Sequence, residues 1–184
     1  MQDGWFRLGS GRGPAALTNS DHPRTLRARA SLAFDLQKND RLAEAIELHE
    51  TVLADSERVL GDRHPGTVTA RSDLARAYQK TGRLAEAIEL HEGVLADRER
   101  LLGADNLQTL SACAYLASAY REVRWLTDAI GLYERASADR ERILGVGHPK
   151  TQTSRRDLAD AYGAAGRGAD ATRLRGSSAA SPDT

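Results

Sequence analysis

The decapeptide RLAEAIELHE stands at Arg41–Glu50 and again, unchanged, at Arg83–Glu92, an offset of 42 residues. Working outward, other landmarks keep that spacing. His22-Pro23, His64-Pro65 and His148-Pro149 are in register, with Asn106-Leu107 in the third slot. Thr25, Thr67, Thr109 and Thr151 hold the same period, as do Leu32-Ala33, Leu74-Ala75, Leu116-Ala117 and Leu158-Ala159. A strict period of this size means one supersecondary unit copied four times and stacked, each copy burying its apolar face on its neighbours.

The unit can be read from residues 64–103. Pro65 suits the first helical position, where its missing N–H is not needed. Asn106, replacing the His in the third copy, is a strong N-cap residue and supports a helix start at that slot. Ala70, Leu74, Ala75, Ala77 and Tyr78 then recur at helical spacing. Thr81-Gly82 breaks the pattern, Gly82 being suited to a left-handed C′ position. In the second helix Leu84, Ala87, Ile88, Val94, Leu95, Leu101 and Leu102 are expected to form the apolar stripe. Glu86, Glu89, Glu92, Arg98, Glu99 and Arg100 are expected on the charged face. Ala75 and Ala87 mark where the two helices approach closest, and larger side chains there would force them apart.

The Leu-Ala pair, the Tyr four residues after the Leu, the Gly and the Glu-Ala-Ile together resemble the tetratricopeptide repeat. The His-Pro opening, the Leu-Gly ending and the 42-residue period are similar to the long variant in kinesin light chains, which many bacterial proteins also carry. The resemblance covers about 21–174 and implies an all-α, right-handed solenoid of four helix-turn-helix repeats. These are placed at about 21–61, 62–103, 104–145 and 146–175, the last truncated. Residues 1–20 read as a flexible leader and 176–184 as a disordered tail.

The copies are not identical. Leu36 takes the Tyr position of the first, Asp40 the Gly position, and Arg124-Trp125 the Gly-Arg turn of the third. In the fourth, Gly168, Thr172 and Arg173 replace Leu84, Ile88 and Glu89, as expected of a polar terminal repeat.

Composition narrows the function. The 26 basic and 26 acidic residues cancel, so no net field draws the chain to nucleic acid or to an anionic membrane. One cysteine, Cys113, excludes an intrachain disulfide framework and fits a reducing compartment. No apolar run is long enough to span a bilayer, and MQDGWFRLGSGRG lacks the apolar core of a secretory signal. A cytoplasmic location is expected.

Reaction chemistry is not evident. His49-Glu50 and His91-Glu92 begin like the zinc motif His-Glu-x-x-His, but Leu53 and Leu95 stand where its second His belongs. A polar helix position copied with the repeat is the expectation, with no metal ligand. Gly9–Gly13 lacks the following Gly-Lys-Ser/Thr of a phosphate-binding loop. Cys113, in the slot of Arg71, reads as an inert packing residue. Neither an enzyme nor a cofactor is expected.

The resemblance implies that the first helix of each repeat lines a groove for a protein or peptide. The outward residues are then Arg27, Phe34, Gln37 and Lys38 in the first copy, and Thr69, Ser72, Arg76, Gln79 and Lys80 in the second. Ser111, Ser118, Arg121 and Glu122 follow in the third, and Thr153, Arg156 and Asp160 in the fourth. This groove is basic toward its N-terminal half, so an acidic or carboxylate-terminated peptide is the expected ligand, with Phe34, Tyr115 and Trp125 as alternative apolar anchors. The family's Asn-rich clamp is replaced by Ser31, Asp73, Tyr115 and Asp157. The reading is therefore a non-catalytic interaction scaffold. Its alternative is a regulatory sensor segment of, or partner to, a signal-transduction NTPase.

Overall fold

A computed structural model describes residues 22–179; residues 1–21 and 180–184, and with them most of the leader and tail readings, lie outside the described residues. The described residues form eight helices and no strand. They are α1 (Pro23–Lys38), α2 (Leu42–Leu60), α3 (Pro65–Lys80), α4 (Leu84–Leu102), α5 (Leu107–Glu122), α6 (Leu126–Leu144), α7 (Pro149–Ala164) and α8 (Gly168–Ala179). They pack as consecutive antiparallel pairs, and each second helix also packs on the next repeat's first helix. None of them is long and apolar enough to cross a membrane.

Each first helix is capped by the residue whose place the period marks. His22, His64 and His148 accept through Nδ1 from the N–H two residues on, at 3.0–3.1 Å, and Asn106 does so through Oδ1 at 2.8 Å. The repeated threonine closes the junction before it. Thr67 and Thr109 are fully buried, and their hydroxyls donate to the carbonyls of Gly61 and Gly103, both at 2.8 Å. Those glycines end α2 and α4 at φ +87°, where an L side chain would be strained. α3 and α5 are thus stitched to α2 and α4.

The core is periodic too. Ile46 packs on Leu74, Ala77 and Tyr78, and Ile88 on Leu116 and Ala119. Ile130, with Tyr133, packs on Leu158 and Ala161. Ala33, Ala75, Ala87, Ala117, Ala129 and Ala159 have no exposed surface, so close approach at alanine is realised in every repeat. On the opposite side of the first helices an ionic ladder runs between helices. Arg29 pairs with Asp55, Arg71 with Glu57 and Asp97, and Arg155 with Glu141. Cys113 interrupts it, and Arg135 takes up Glu99 there at 2.6 Å.

Three expectations are corrected. Leu101 and Leu102 are exposed rather than buried, and the apolar stripe of α4 ends at Leu95. Arg98 is half-buried rather than on an open charged face. The chain stays helical through Ala179, beyond the expected start of a tail at Gly176. Even so, α8 has 12 residues where α2, α4 and α6 have 19, and among its residues of described burial only Ala171 is buried.

Candidate functional site on the face of the first helices

Two of the clefts on this face stand two repeats apart in the same register. The N-terminal one, about 440 Å³, lies between α1 and α3 over α2. Leu26, Ala30, Val52, Leu60 and Ala70 give it apolar walls, with Arg27, Ser56, His64, Thr69 and Asp73 around them. The C-terminal one, about 410 Å³, lies between α5 and α7 over α6. Its walls hold Ser111, Tyr115, Ser118, Arg121, Tyr133, Arg140, Lys150, Thr153 and Asp157. Ser111 stands for Arg27, Asp157 for Asp73, and Arg140 for Ser56. Arg140 for Ser56 and Lys150 for Gly66 add two cations and Ser111 for Arg27 removes one, so the C-terminal cleft is the more cationic of the two. Arg98 fills the Arg140 slot in the intervening repeat and donates to the Gln108 carbonyl at 3.1 Å.

Most residues expected on this face are there, and many are already engaged. Arg27 and Thr69 line the N-terminal cleft, while Ser118, Arg121, Ser111 and Thr153 line the C-terminal one. Between the clefts the Arg76 guanidinium is flanked by Phe34 and Tyr115, with ring centroids at 5.9 and 5.3 Å, and faces Asp73 at 3.6 Å. The Lys38 ammonium stands 4.5 Å from the Phe34 centroid. Lys80 donates to the Gln37 carbonyl at 3.0 Å. Gln79 donates to Ser118 at 3.1 Å and also to Glu122. Of the cations expected to make the N-terminal half basic, Lys38 and Arg76 are thus stacked on rings and Lys80 is tied to a neighbouring helix.

Ser72 and Gln37 do not present an open surface; both are buried. First helices pack against one another as well as against their own partners, and that contact consumes part of the face counted as outward. Arg156 lies apart from the rest, in a cleft with Gln152, Leu174 and Arg175 between α7 and α8. Trp125 sits on Tyr120 at the α5–α6 turn, ring centroids 5.3 Å apart, and is not in line with Phe34 and Tyr115.

Burial sets the electrostatics. Arg98 and Arg140 lose basicity by desolvation, and the carboxyls of Asp73 and Asp157 are pushed up for the same reason. His49 and His91 are not polar surface positions: each is 1% exposed, with neither ring nitrogen hydrogen-bonded. His91 stacks on Tyr115 at 6.0 Å, and desolvation, helped by Arg76 and Arg98, lowers it to about 4. His49 is lowered by desolvation against the opposing pull of Asp73.

Arg140, Lys150 and Asp157 were not among the residues expected from sequence. A signal existed for the first. Tyr133, Ala136 and Arg140 follow one another at helical spacing, which puts the arginine on the buried stripe of α6 rather than opposite it.

Models of the tetratricopeptide repeat match residues 24–100 and 109–150. The nearly identical TPR-like repeats of a Podosopora anserina kinesin-light-chain-type protein superpose with a TM-score of 0.80 at 34% identity. That match covers 85% of this chain and 74% of the other. A single-substitution form of the same repeats gives the same values. BtubC (BKLC) from P. vanneervenii superposes with a TM-score of 0.73 at 20% identity, covering 87% of this chain and 66% of that one, a likeness of fold alone. No curated protein matches the chain.

Proposed function

Because the chain belongs to the tetratricopeptide-repeat family, in the form found in kinesin-light-chain-like proteins, we propose that the face of α1, α3, α5 and α7 is a groove that holds an extended segment of a protein partner. Repeats of this family generally mediate protein–protein interaction. The observation that carries the reading is the pair of equivalent clefts on one face, joined by the Phe34–Arg76–Tyr115 row. Clefts at repeat spacing suit alternate side chains of an extended peptide, while Arg and Gln side chains beside them can hydrogen-bond its backbone or its carboxylates. The role is that of a scaffold, with no catalytic step assigned to it.

Lined by Arg27, Arg76, Arg121 and Arg140, the groove favours an acidic or carboxylate-terminated segment, and such attraction is screened over a Debye length of about 10 Å at 0.1 M salt. Photo-crosslinking tests this. A crosslinking residue at position 34 or 118 should trap a partner from the source cell in a salt-sensitive manner. The same residue at position 89, on the exposed side of α4, should not. Equal trapping from all three positions would place the interaction elsewhere.

A further inference from the structure

Arg140 is a buried cation with no carboxylate in hydrogen-bond contact, and Asp157 in the same cleft acts on it only across space. Its side chain is 6% exposed, yet its hydrogen bonds go only to hydroxyls: Nη1 to Ser154 on α7 and Nη2 to Ser111 on α5 at 3.0 Å. Those hydroxyls are neutral acceptors, each already donating to a carbonyl of its own helix, at 2.8 Å from Ser111 and 3.1 Å from Ser154. The Nε donor has no acceptor, and no carboxylate among the described residues forms an ion pair with the group. A guanidinium carries five N–H donors, and holding it out of water is costly unless an anion compensates it. The two serines pin its fork between α5 and α7, at the base of the 410 Å³ cleft.

Arg121 and Lys150 line the same cleft, and Asp157 is the one acidic side chain in its wall. The walls therefore hold an excess of two positive charges. A carboxylate would neutralise one of them. A phosphate monoester, carrying about −1.5 to −2 at pH 7 with three strong acceptor oxygens, matches the excess. The equivalent N-terminal cleft, with Ser56 in the Arg140 slot and Gly66 in that of Lys150, lacks both cations; its one arginine, Arg27, is offset by Asp73, and it serves as the internal contrast.

We propose that the α5–α7 cleft is a phosphate-binding subsite, taking a phosphorylated side chain of a peptide laid in the groove. The carrier rests on the groove reading above; the subsite itself does not.

Inorganic phosphate titrated into the ¹⁵N-labelled chain tests the subsite, with acetate at equal ionic strength as the monoanion control. Phosphate should saturably shift the Arg140 Nε–H and Lys150 amide signals, and acetate should need at least about tenfold higher concentration, given the unmatched second charge. Arg140→Gln should abolish the response. Since replacing a buried arginine can unfold a helix pair, Lys150→Gln, at an exposed position, should weaken phosphate severalfold in a chain of unchanged circular dichroism. No shift, equal shifts with acetate, or shifts indifferent to both substitutions would overturn the subsite. The carrier is tested with an alanine pentapeptide bearing a central phosphoserine, against its serine twin. Binding at least tenfold tighter than both the twin and free phosphate supports it. Phosphate binding with no added affinity from the peptide would overturn the peptide groove while the anion subsite stands.

Discussion

Ala87 has no exposed surface and touches a cluster built from Ile46, Leu74, Ala77 and Tyr78, so its methyl group sets the distance between α3 and α4. Ala87→Leu should therefore cost about 1–3 kcal/mol by overpacking, whereas Glu89→Gln, two residues away and exposed, should stay within about 0.5 kcal/mol. Urea denaturation of the two variants checks the assignment of faces. A second consequence at this scale concerns His91, held neutral by burial and lowered to about 4. Above pH 6.5 the imidazole is neutral in both folded and unfolded chains and adds no pH dependence. Below it the unfolded chain takes a proton that the folded chain refuses until near pH 4, so stability falls across that window. The loss from this one group is on the order of 3 kcal/mol when complete, and His49, lowered in the same direction, adds to it. Urea midpoints at pH 7 and pH 4.5 should differ less for His91→Leu than for the parent chain; an unchanged difference would show that His91 takes up its proton in the folded state.

The helix junctions show what each repeated residue contributes. Thr67 is buried and its hydroxyl donates to Gly61 at 2.8 Å and Ser56 at 3.2 Å, whereas Thr69 is exposed and bonds only within its own helix. Thr67→Val keeps the shape but removes the hydroxyl that ties α3 to the Gly61 carbonyl, at a cost of about 0.5–1.5 kcal/mol; Thr69→Val should change stability by less than about 0.5 kcal/mol. The turns differ in another way. Gly82 and Gly166 take φ of +78° and +75° without strain, but Arg124 is held at +67° and Asp40 at +61°. An L residue there loses roughly 1–2 kcal/mol, less for Asp than for Arg, while Gly gives up some of that gain through its freer unfolded chain. Arg124→Gly should then raise stability by up to about 1 kcal/mol even though it removes the exposed hydrogen bond to Ala164. Thermal melting decides the sign.

Across the whole molecule, contacts run almost entirely between neighbouring helices, so stability is expected to behave as a chain of repeat-to-repeat interfaces. Leu158 and Ala161 cover Ile130 and Tyr133, and the fourth repeat in turn ends in the short α8. Truncation after Gly145 should leave that apolar surface uncovered, lower the urea midpoint and promote self-association, as read by denaturation and light scattering. A chain cut there that melts unchanged and stays monomeric would mean that the third repeat closes the stack by itself. The ladder of Arg29, Arg71 and Arg155 reinforces the same interfaces and is broken at Cys113.

The period alone determined the number of helix pairs, their starts at His-Pro and Asn-Leu, the break between the two helices of a pair and the alanines at the closest approach. Each of these is a local requirement, written wherever the unit is copied. Helical spacing also put Leu74, Ile88 and Val94 inside, because a helix facing one neighbour on each side buries the same stripe in every copy. Tertiary structure decided what happens where two first helices meet. Ser72 and Gln37 are buried there, Arg76 is taken between Phe34 and Tyr115, and Lys80 is tied to α1. It also decided that His49 and His91 are core residues and that Arg140 lies between two serines of different helices. These outcomes depend on residues 14 to 43 positions apart along the chain, brought together by stacking, and helical spacing within one element says nothing about which of its polar residues a neighbouring element will cover.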